Sequence, residues 1–221
     1  AHMLRAVPRV VALTAALLGG AVACAGGTVD PATHTPQTIE APPPLKGQRA
    51  AVFAGGCFWC MEKPFDKLAG VVSTTSGYTG GRIPGPSYRQ VSMHQTQHYE
   101  ALRVVYDPGL VSYERLLEVF WHNVDPTQSN GQFCDKGDQY RTGIFTSDPV
   151  EVELARTSRD AAQKTLGKTI VTEILPAAPF WIAEEYHQDF YTKNPDHYAR
   201  YRSGCGRDRR LAELWGDAAG H

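Results

Sequence analysis

Apolar and polar positions alternate most cleanly over residues 100–106, where Leu102, Val104 and Tyr106 share one face before Asp107-Pro108-Gly109 ends the run. A half-buried strand is expected there. Ala51-Val52-Phe53-Ala54 is continuously apolar and ends in Gly55-Gly56, which predicts a short buried strand. Helical spacing follows: Phe58, Met61 and Phe65 fall on one side of a helix that starts at or just after Cys57. Pro64 has no N–H to give, so a kink or break is expected at that point. Residues 71–76 read as a second strand and 78–97 as a long loop punctuated by Gly and Pro. Ser112 caps an amphipathic helix carrying Leu116, Leu117, Val119 and Phe120. A second long loop spans 123–139, and 141–146 is a strand. Asp148-Pro149 then opens a helix to Leu166, stopped by Gly167. Residues 170–175 read as a strand and 182–191 as a helix. A tail holds Gly204-Cys205-Gly206 and a short segment ending at Trp215. Strands and helices mix without strict alternation, which predicts an α+β sandwich. Loops as long as 78–97 and 123–139 inside a compact domain usually carry function.

The N-terminal end has a different pattern. Ala1-His2 stand before Met3 and read as a cloning scar. Residues 3–24 read as a signal peptide: Arg5 and Arg9 are basic, 10–18 are apolar, and Ala21-Val22-Ala23 supply small residues for cleavage. The apolar run is too short for a stable membrane span. Cys24 follows directly, so lipidation of Cys24 stands beside ordinary cleavage as an alternative; Ala21 occupies a position where lipoprotein signals usually carry Leu. Either route takes the protein out of the cytoplasm, to a bacterial periplasm or cell envelope. Residues 25–49, with Pro42-Pro43-Pro44, read as a semi-extended tether without a core. The folded domain is expected over 50–216 and a disordered tail over 217–221.

Composition narrows the class only a little. Of 221 residues, 42% are hydrophobic and 20% charged, the mix of an ordinary globular chain. The formal net charge is −1, from 22 basic and 23 acidic residues, which gives no reason to expect a nucleic-acid partner or membrane contact beyond a lipid anchor. A monomer is expected.

The chemistry concentrates in Gly55-Gly56-Cys57-Phe58-Trp59-Cys60-Met61-Glu62. A Cys at a helix start meets unpaired N–H groups and a partial positive charge, which favour thiolate over thiol. Cys57 is therefore the candidate nucleophile. A buried core Cys and a zinc knuckle on Cys57-x-x-Cys60 are the alternatives. Zinc needs two further ligands, and no second Cys pair or His pair of matching spacing exists.

Gly-Cys-Phe-Trp at a strand-to-helix turn resembles the signature of the A-type peptide methionine sulfoxide reductases. The resemblance continues in register through Ser76-Gly77-Tyr78-Thr79-Gly80-Gly81, Ser87-Tyr88-Arg89-Gln90-Val91, His98-Tyr99-Glu100 and Val105-Tyr106-Asp107-Pro108. It goes on through Phe120-Trp121, Asp125-Pro126-Thr127-Gln128, Gly131-Gln132-Phe133, Asp135, Gln139-Tyr140-Arg141 and Tyr186-His187-Gln188, and covers the chain from Ala50 to Trp215. It implies a ferredoxin-like split βαβ sandwich with long functional loops and a coil-rich C-terminal tail. It implies reduction of free and protein-bound methionine-S-sulfoxide, without metal or prosthetic group, at the expense of a thioredoxin-like reductant. For an exported enzyme that reductant is an extracytoplasmic one.

The same resemblance implies roles by position. A sulfoxide oxygen leaves only when protonated; Glu100 matches the family acid, and its pKa is expected to be raised by an apolar site. Tyr88 and Tyr140 match tyrosines that hydrogen-bond the oxygen, Phe58 and Trp59 the wall that holds the methyl group, and Asp135 a supporting hydrogen-bonding residue. His98 is left unassigned. Attack by Cys57 leaves a sulfenic acid that a second thiol converts to a disulfide. Cys60, one turn away, and Cys205, in a Gly-flanked tail, are both candidates for that thiol, and Cys134 is read as lining the pocket. A Cys57-x-x-Cys60 disulfide oxidoreductase and a stalked binding module are the rival readings.

Overall fold

The computed structural model describes Asp30, Pro31 and residues 33–220. The expected scar, signal peptide, Cys24 and His221 lie outside the described residues. The elements, in chain order, are β1 (Arg49–Gly55), α1 (Trp59–Asp66), β2 (Val71–Thr79), α2 (Tyr88–Ser92), β3 (Tyr99–Tyr106), α3 (Tyr113–His122), β4 (Gly131–Gln132), β5 (Asp135–Lys136), β6 (Thr142–Phe145), α4 (Pro149–Leu166), β7 (Glu173–Leu175), β8 (Phe180–Ile182), α5 (Phe190–Lys193), α6 (Pro195–Gly204) and α7 (Arg207–Trp215).

Six strands form one sheet in the order β7-β6-β1-β3-β2-β8, and β4 and β5 form a separate ribbon. β1 and β2 are both antiparallel to β3, so they run parallel with β3 between them. That is the split βαβ arrangement, with α1 as its crossover. β3 and β6 are likewise both antiparallel to β1, and α3 lies on the path that joins them. This α+β fold agrees with the sequence reading.

One face of the sheet carries the main core. Phe53, Leu102, Val104 and Ile144 pack there against Met61 and Phe65 of α1, Leu116, Leu117 and Phe120 of α3, and Ala155 and Ala162 of α4. Phe53 stacks on Phe65 at 5.4 Å and on Phe120 at 5.3 Å. The helix starts follow the caps read from sequence: Ser112 accepts from Arg115 N–H, Asp148 accepts from Val150 N–H, and Gly167 ends α4 at φ +60°.

Several expectations are corrected. α1 runs through Pro64 without interruption. The 78–97 loop contains the end of β2 and the capped helix α2, because Ser87 and Gln90 form a capping box. The strand expected over 170–175 is confined to Glu173–Leu175. The helix expected over 182–191 is replaced by β8, a 3-10 turn at Glu185–His187 and the short α5. The C-terminal tail is not coil: α6 and α7 fill it, and Leu211 and Trp215 join the main core. Residues 217–220 are docked as well, with Gly220 N–H on the His122 carbonyl at 2.8 Å and Ala219 buried. The tether is corrected too. Ala41 N–H reaches the Phe180 carbonyl at 2.8 Å, Ile182 N–H reaches the Ile39 carbonyl at 2.9 Å, and Thr38 Oγ1 donates to the Pro86 carbonyl at 2.8 Å. This stretch is a strap along the β8 edge, because the unpaired backbone groups of an edge strand find partners in it.

Candidate active site

The site begins where β1 ends. Gly56 turns at φ +82°, and a Cβ there would lie 2.5 Å from Gln132, so only glycine lets β1 turn against the 131–132 strand. Arg207 of α7, itself buried, donates to the Gly55 carbonyl at 3.1 Å and to the Asn123 carbonyl at 2.7 Å, fixing the strand end. Cys57 follows at 6% exposure and Cys60 at 2%. The Cys57 carbonyl accepts Cys60 N–H at 3.1 Å and the Phe58 carbonyl accepts Met61 N–H at 3.0 Å, which starts the helix at Trp59. Phe58 N–H has no helical acceptor and donates to Glu100 Oε2 at 3.3 Å.

Glu100 sits on β3 opposite Tyr78 and is 1% exposed. Burial lifts its carboxyl to about 8; the Phe58 N–H and the Tyr140 hydroxyl pull it down, while Asp135 and Cys60 push it up. A carboxyl at about 8 is largely protonated at neutral pH. The Tyr140 hydroxyl interacts with both the Glu100 carboxyl and the Tyr88 hydroxyl. Burial and the neighbouring Glu100 push the Tyr88 phenol up to about 12 and raise Tyr140 still further, so both remain neutral O–H donors.

The two thiols interact with each other. Burial raises Cys57 well above the ordinary thiol range. Cys60 falls to about 6, first because Cys57 donates a hydrogen bond to it and then, against its burial, through the guanidinium groups of Arg207 and Arg202. Burial therefore opposes the helix start at Cys57, while the hydrogen bond from Cys57 and the two guanidinium groups favour a thiolate at Cys60. Arg202 and Arg207 come from α6 and α7, which read as coil in the sequence.

Aromatic side chains close the site. Trp59 stacks on Phe190 at 3.7 Å and an interplanar angle of 6°, and its Nε1–H donates to His187 Nδ1 at 3.1 Å. His187 lies against Phe58 at 5.0 Å and Tyr88 at 4.5 Å. Tyr201 of α6 donates its hydroxyl to Asp135 Oδ2 and also interacts with the Cys57 thiol. Asp135 thus acts on the site through Tyr201. Cys57, Cys60, Phe58, Trp59, Tyr88, Glu100, Asp135 and Tyr140 are brought into one place; His98 is buried elsewhere, behind Gly81. Cys205 is not a free tail thiol: it forms a disulfide with Cys134, the Cα atoms 4.9 Å apart, while Cys57 and Cys60 are free. Tyr201 and Phe190 were missed, since the short helices that present them were not legible, and Glu62 lay in the quoted octapeptide without a role. His187 lay in a quoted motif without a role. A cavity of about 480 Å³ lined by Tyr99, Arg141, Glu173 and Pro176 contains none of these groups.

The profile of the family described as peptide methionine sulfoxide reductase matches residues 49–219. A peptide methionine sulfoxide reductase MsrA of Bacillus subtilis is 49% identical over 168 residues, covering 75% of this chain and 95% of that one. MsrA 2 of Caulobacter vibrioides is 46% identical over 201 residues, covering 90% of this chain and 96% of its own. Among solved structures, methionine sulfoxide reductase A of Corynebacterium diphtheriae superposes with a TM-score of 0.66 at 34% identity, over 77% of this chain and 87% of that one. Reduced Mxr1 of Saccharomyces cerevisiae gives a TM-score of 0.65 at 31% identity, over 72% and 91%.

Proposed function

Because the chain belongs to the A-type peptide methionine sulfoxide reductase family, whose members reduce methionine-S-sulfoxide by thiol chemistry without a cofactor, we propose that Cys57 is its nucleophile and Glu100 its acid. The observation that carries this reading is the Phe58 N–H bond to Glu100, which sets a protonated carboxyl beside the Cys57 turn. The Cys57 proton passes along the thiol pair to the Cys60 thiolate, and the Cys57 thiolate attacks sulfur. Glu100 protonates the departing sulfoxide oxygen as the S–O bond breaks, with Tyr88 and Tyr140 as neutral donors to it. The protonated oxygen passes from the methionine sulfur to the Cys57 sulfur as the bond between the two sulfurs breaks, so methionine leaves and Cys57 carries a sulfenic acid. Cys60, one turn along, condenses with it, releasing water and forming the Cys57–Cys60 disulfide. Phe58 and Trp59 hold the methyl group. Asp135 positions Tyr201 over the thiol.

Arg5, Arg9, the 10–18 apolar run and Ala21-Val22-Ala23 support export, with Cys24 as lipid anchor or ordinary cleavage neighbour. The substrates are then oxidised exported proteins, the reductant is a thioredoxin-like protein outside the cytoplasm, and the enzyme works as a monomer.

The test is turnover of a peptide carrying both methionine sulfoxide epimers, with dithiothreitol as reductant. The expected result is consumption of the S epimer alone, lost in Cys57→Ser because an alkoxide at neutral pH is scarce. Turnover by Cys57→Ser at the wild-type rate overturns the proposal.

A further inference from the structure

We propose that Arg141 is a positioning residue for the reduction: clamped between the Tyr99 ring and the Glu173 carboxylate on the far face of the sheet, it sets the Tyr140 hydroxyl on Glu100. The proposal rests on the roles given above to Glu100 and Tyr140.

The first ground is a register between two dipeptides. Side chains alternate along β3, so Glu100 lies on the side of the thiols while Tyr99 joins Ala54, Phe145 and Phe180 on the other. The chain leaves the 3-10 turn at Asp138–Tyr140 extended, with Arg141 at φ −66° and ψ 155°. Its side chains diverge in the same way. The Tyr140 hydroxyl interacts with Glu100, and the Arg141 guanidinium carbon lies 4.5 Å from the centroid of the Tyr99 ring. Residue 140 thus meets 100 on one face and 141 meets 99 on the other. A single rigid peptide plane joins Arg141 to Tyr140, so a shift of one is carried to the other.

The second ground is how the guanidinium is held. Glu173 Oε2 accepts the Tyr99 hydroxyl at 3.0 Å and Arg141 Nη1–H at 3.3 Å. Tyr99 is buried, with Phe145 edge-on at 5.3 Å. Arg141 Nε–H donates to the Asp138 carbonyl at 3.2 Å. β3, the edge strand β7 and the 138–140 turn therefore converge on one side chain. The backbone bonds of the turn, Tyr140 N–H to Gly137 at 3.1 Å and Arg141 N–H to Asp138 at 3.4 Å, close it on itself and do not fix it against β3. A planar fork can lie on a ring and reach a carboxylate at once, which an ammonium cannot.

The third ground is that the clamp is accessible. Arg141 is a wall of the cavity of about 480 Å³ that Tyr99, Phe145 and Glu173 also line, and its side chain is 32% exposed. Cutting the side chain back opens a place beside the Tyr99 ring that a free guanidinium ion can enter.

The experiment follows the single-turnover rate on a methionine-S-sulfoxide peptide against pH, using full-length protein. Arg141→Ala should lower the plateau by about three- to tenfold, bounded by the loss expected for Tyr140→Phe, and move the alkaline limb to higher pH as the hydroxyl leaves Glu100. The other groups that act on Glu100 are Asp135, Cys57, Cys60, Tyr88 and Tyr78, and Arg141 bonds to Asp138 and Glu173 instead. Loss of a positive charge by itself would also move the limb upward. The Tyr140→Phe background separates the two causes: a positioning effect vanishes there, and a charge effect persists. Guanidinium chloride at tens of millimolar, far below denaturing levels, should restore Arg141→Ala where sodium chloride does not, and should leave the double variant unchanged. Arg141→Lys keeps the charge and should still show the displaced limb, to a lesser extent; its profile decides if Arg141→Ala folds poorly. A wild-type profile in the Arg141 variants, with or without a lowered denaturation midpoint, overturns the proposal. So does a limb shift or rate loss that is as large in Tyr140→Phe as in wild type. If Tyr140→Phe alone keeps the wild-type rate and limb, the role of Tyr140 itself falls and this proposal with it, a failure seen without any Arg141 variant.

Discussion

Phe58 donates its backbone N–H to Glu100 Oε2 at 3.3 Å, so the turn that carries the nucleophile also holds the acid. The bond uses an N–H that every helix start leaves over, and it joins β1's end to β3 without any side chain on the donor's part. A change in the Cys57 turn is therefore felt at Glu100.

The first prediction concerns pH. Glu100 holds its proton up to about 8, raised chiefly by burial. Below that value the acid form is present and above it the carboxylate replaces it, so the single-turnover rate should fall as pH rises through about 8. Glu100→Gln should keep KM within a few-fold and lower the rate by about a hundredfold or more, in the range of a lost general acid. Stopped-flow measurement across pH checks both. An undiminished rate in Glu100→Gln would move the proton donor elsewhere.

Tyr140 tests the same carboxyl from the other side. Its hydroxyl pulls the Glu100 pKa down, so Tyr140→Phe should let that pKa climb. The alkaline limb of the rate profile should then move to higher pH, while the plateau falls by about tenfold, equivalent to about 1.4 kcal/mol. A plateau loss with an unmoved limb would place Tyr140 on the substrate only.

The contrast between what was legible and what was not follows from the range of the interactions. Leu102 and Val104 announce their strand by alternation and Phe53 its strand by a continuous apolar run, and both patterns are local. Glu100, Tyr88 and Tyr140 were reached only through the family's ordered motifs, since a lone Glu or Tyr reads as an ordinary strand or core residue. Tyr201, Arg202 and Arg207 were lost for another reason. α6 carries few apolar residues and its face is set by the aromatic contacts of Tyr198 and Tyr201, so no periodicity marks it. The Cys134–Cys205 pairing joins positions 71 apart, and pairing at such separation has no signature in one sequence.

The strap gives a stability prediction. Removing residues 1–44 deletes the backbone bonds of Ile39 and Ala41 to β8, the Thr38 bond to Pro86 and the Gln37 bond to Gly85. At about 1 kcal/mol each, the loss should be about 3–4 kcal/mol in chemical denaturation. Pro86 adjoins the Ser87 cap of α2, so KM should also rise as Tyr88 loosens. Unchanged stability would mean the strap detaches in solution.

The last prediction separates a positioning carboxylate from the chemical one. Glu62 is 1% exposed on α1 and accepts from Ser76 Oγ at 2.9 Å, Asp189 N–H at 3.1 Å and Phe190 N–H at 3.2 Å. Those last two bonds hold Phe190 flat on Trp59, the proposed wall for the methyl group. Glu62→Gln turns an NH2 toward one of these N–H groups, leaving a buried donor unpaired at about 1–3 kcal/mol. KM should rise several-fold with kcat little changed, and Trp fluorescence should shift as the stack opens, whereas Glu100→Gln should do the reverse. Burial lifts Glu62 to about 7 from an ordinary value of 4.5. A folded pKa above the unfolded one gives stability that is fully present below about 4.5 and lost as pH rises through about 7, by at most about 3 kcal/mol. Glu62→Gln should therefore flatten the stability profile between those values. If denaturation midpoints of the variant fall across that interval as steeply as those of wild type, Glu62 is ionised throughout and the slope belongs to another group.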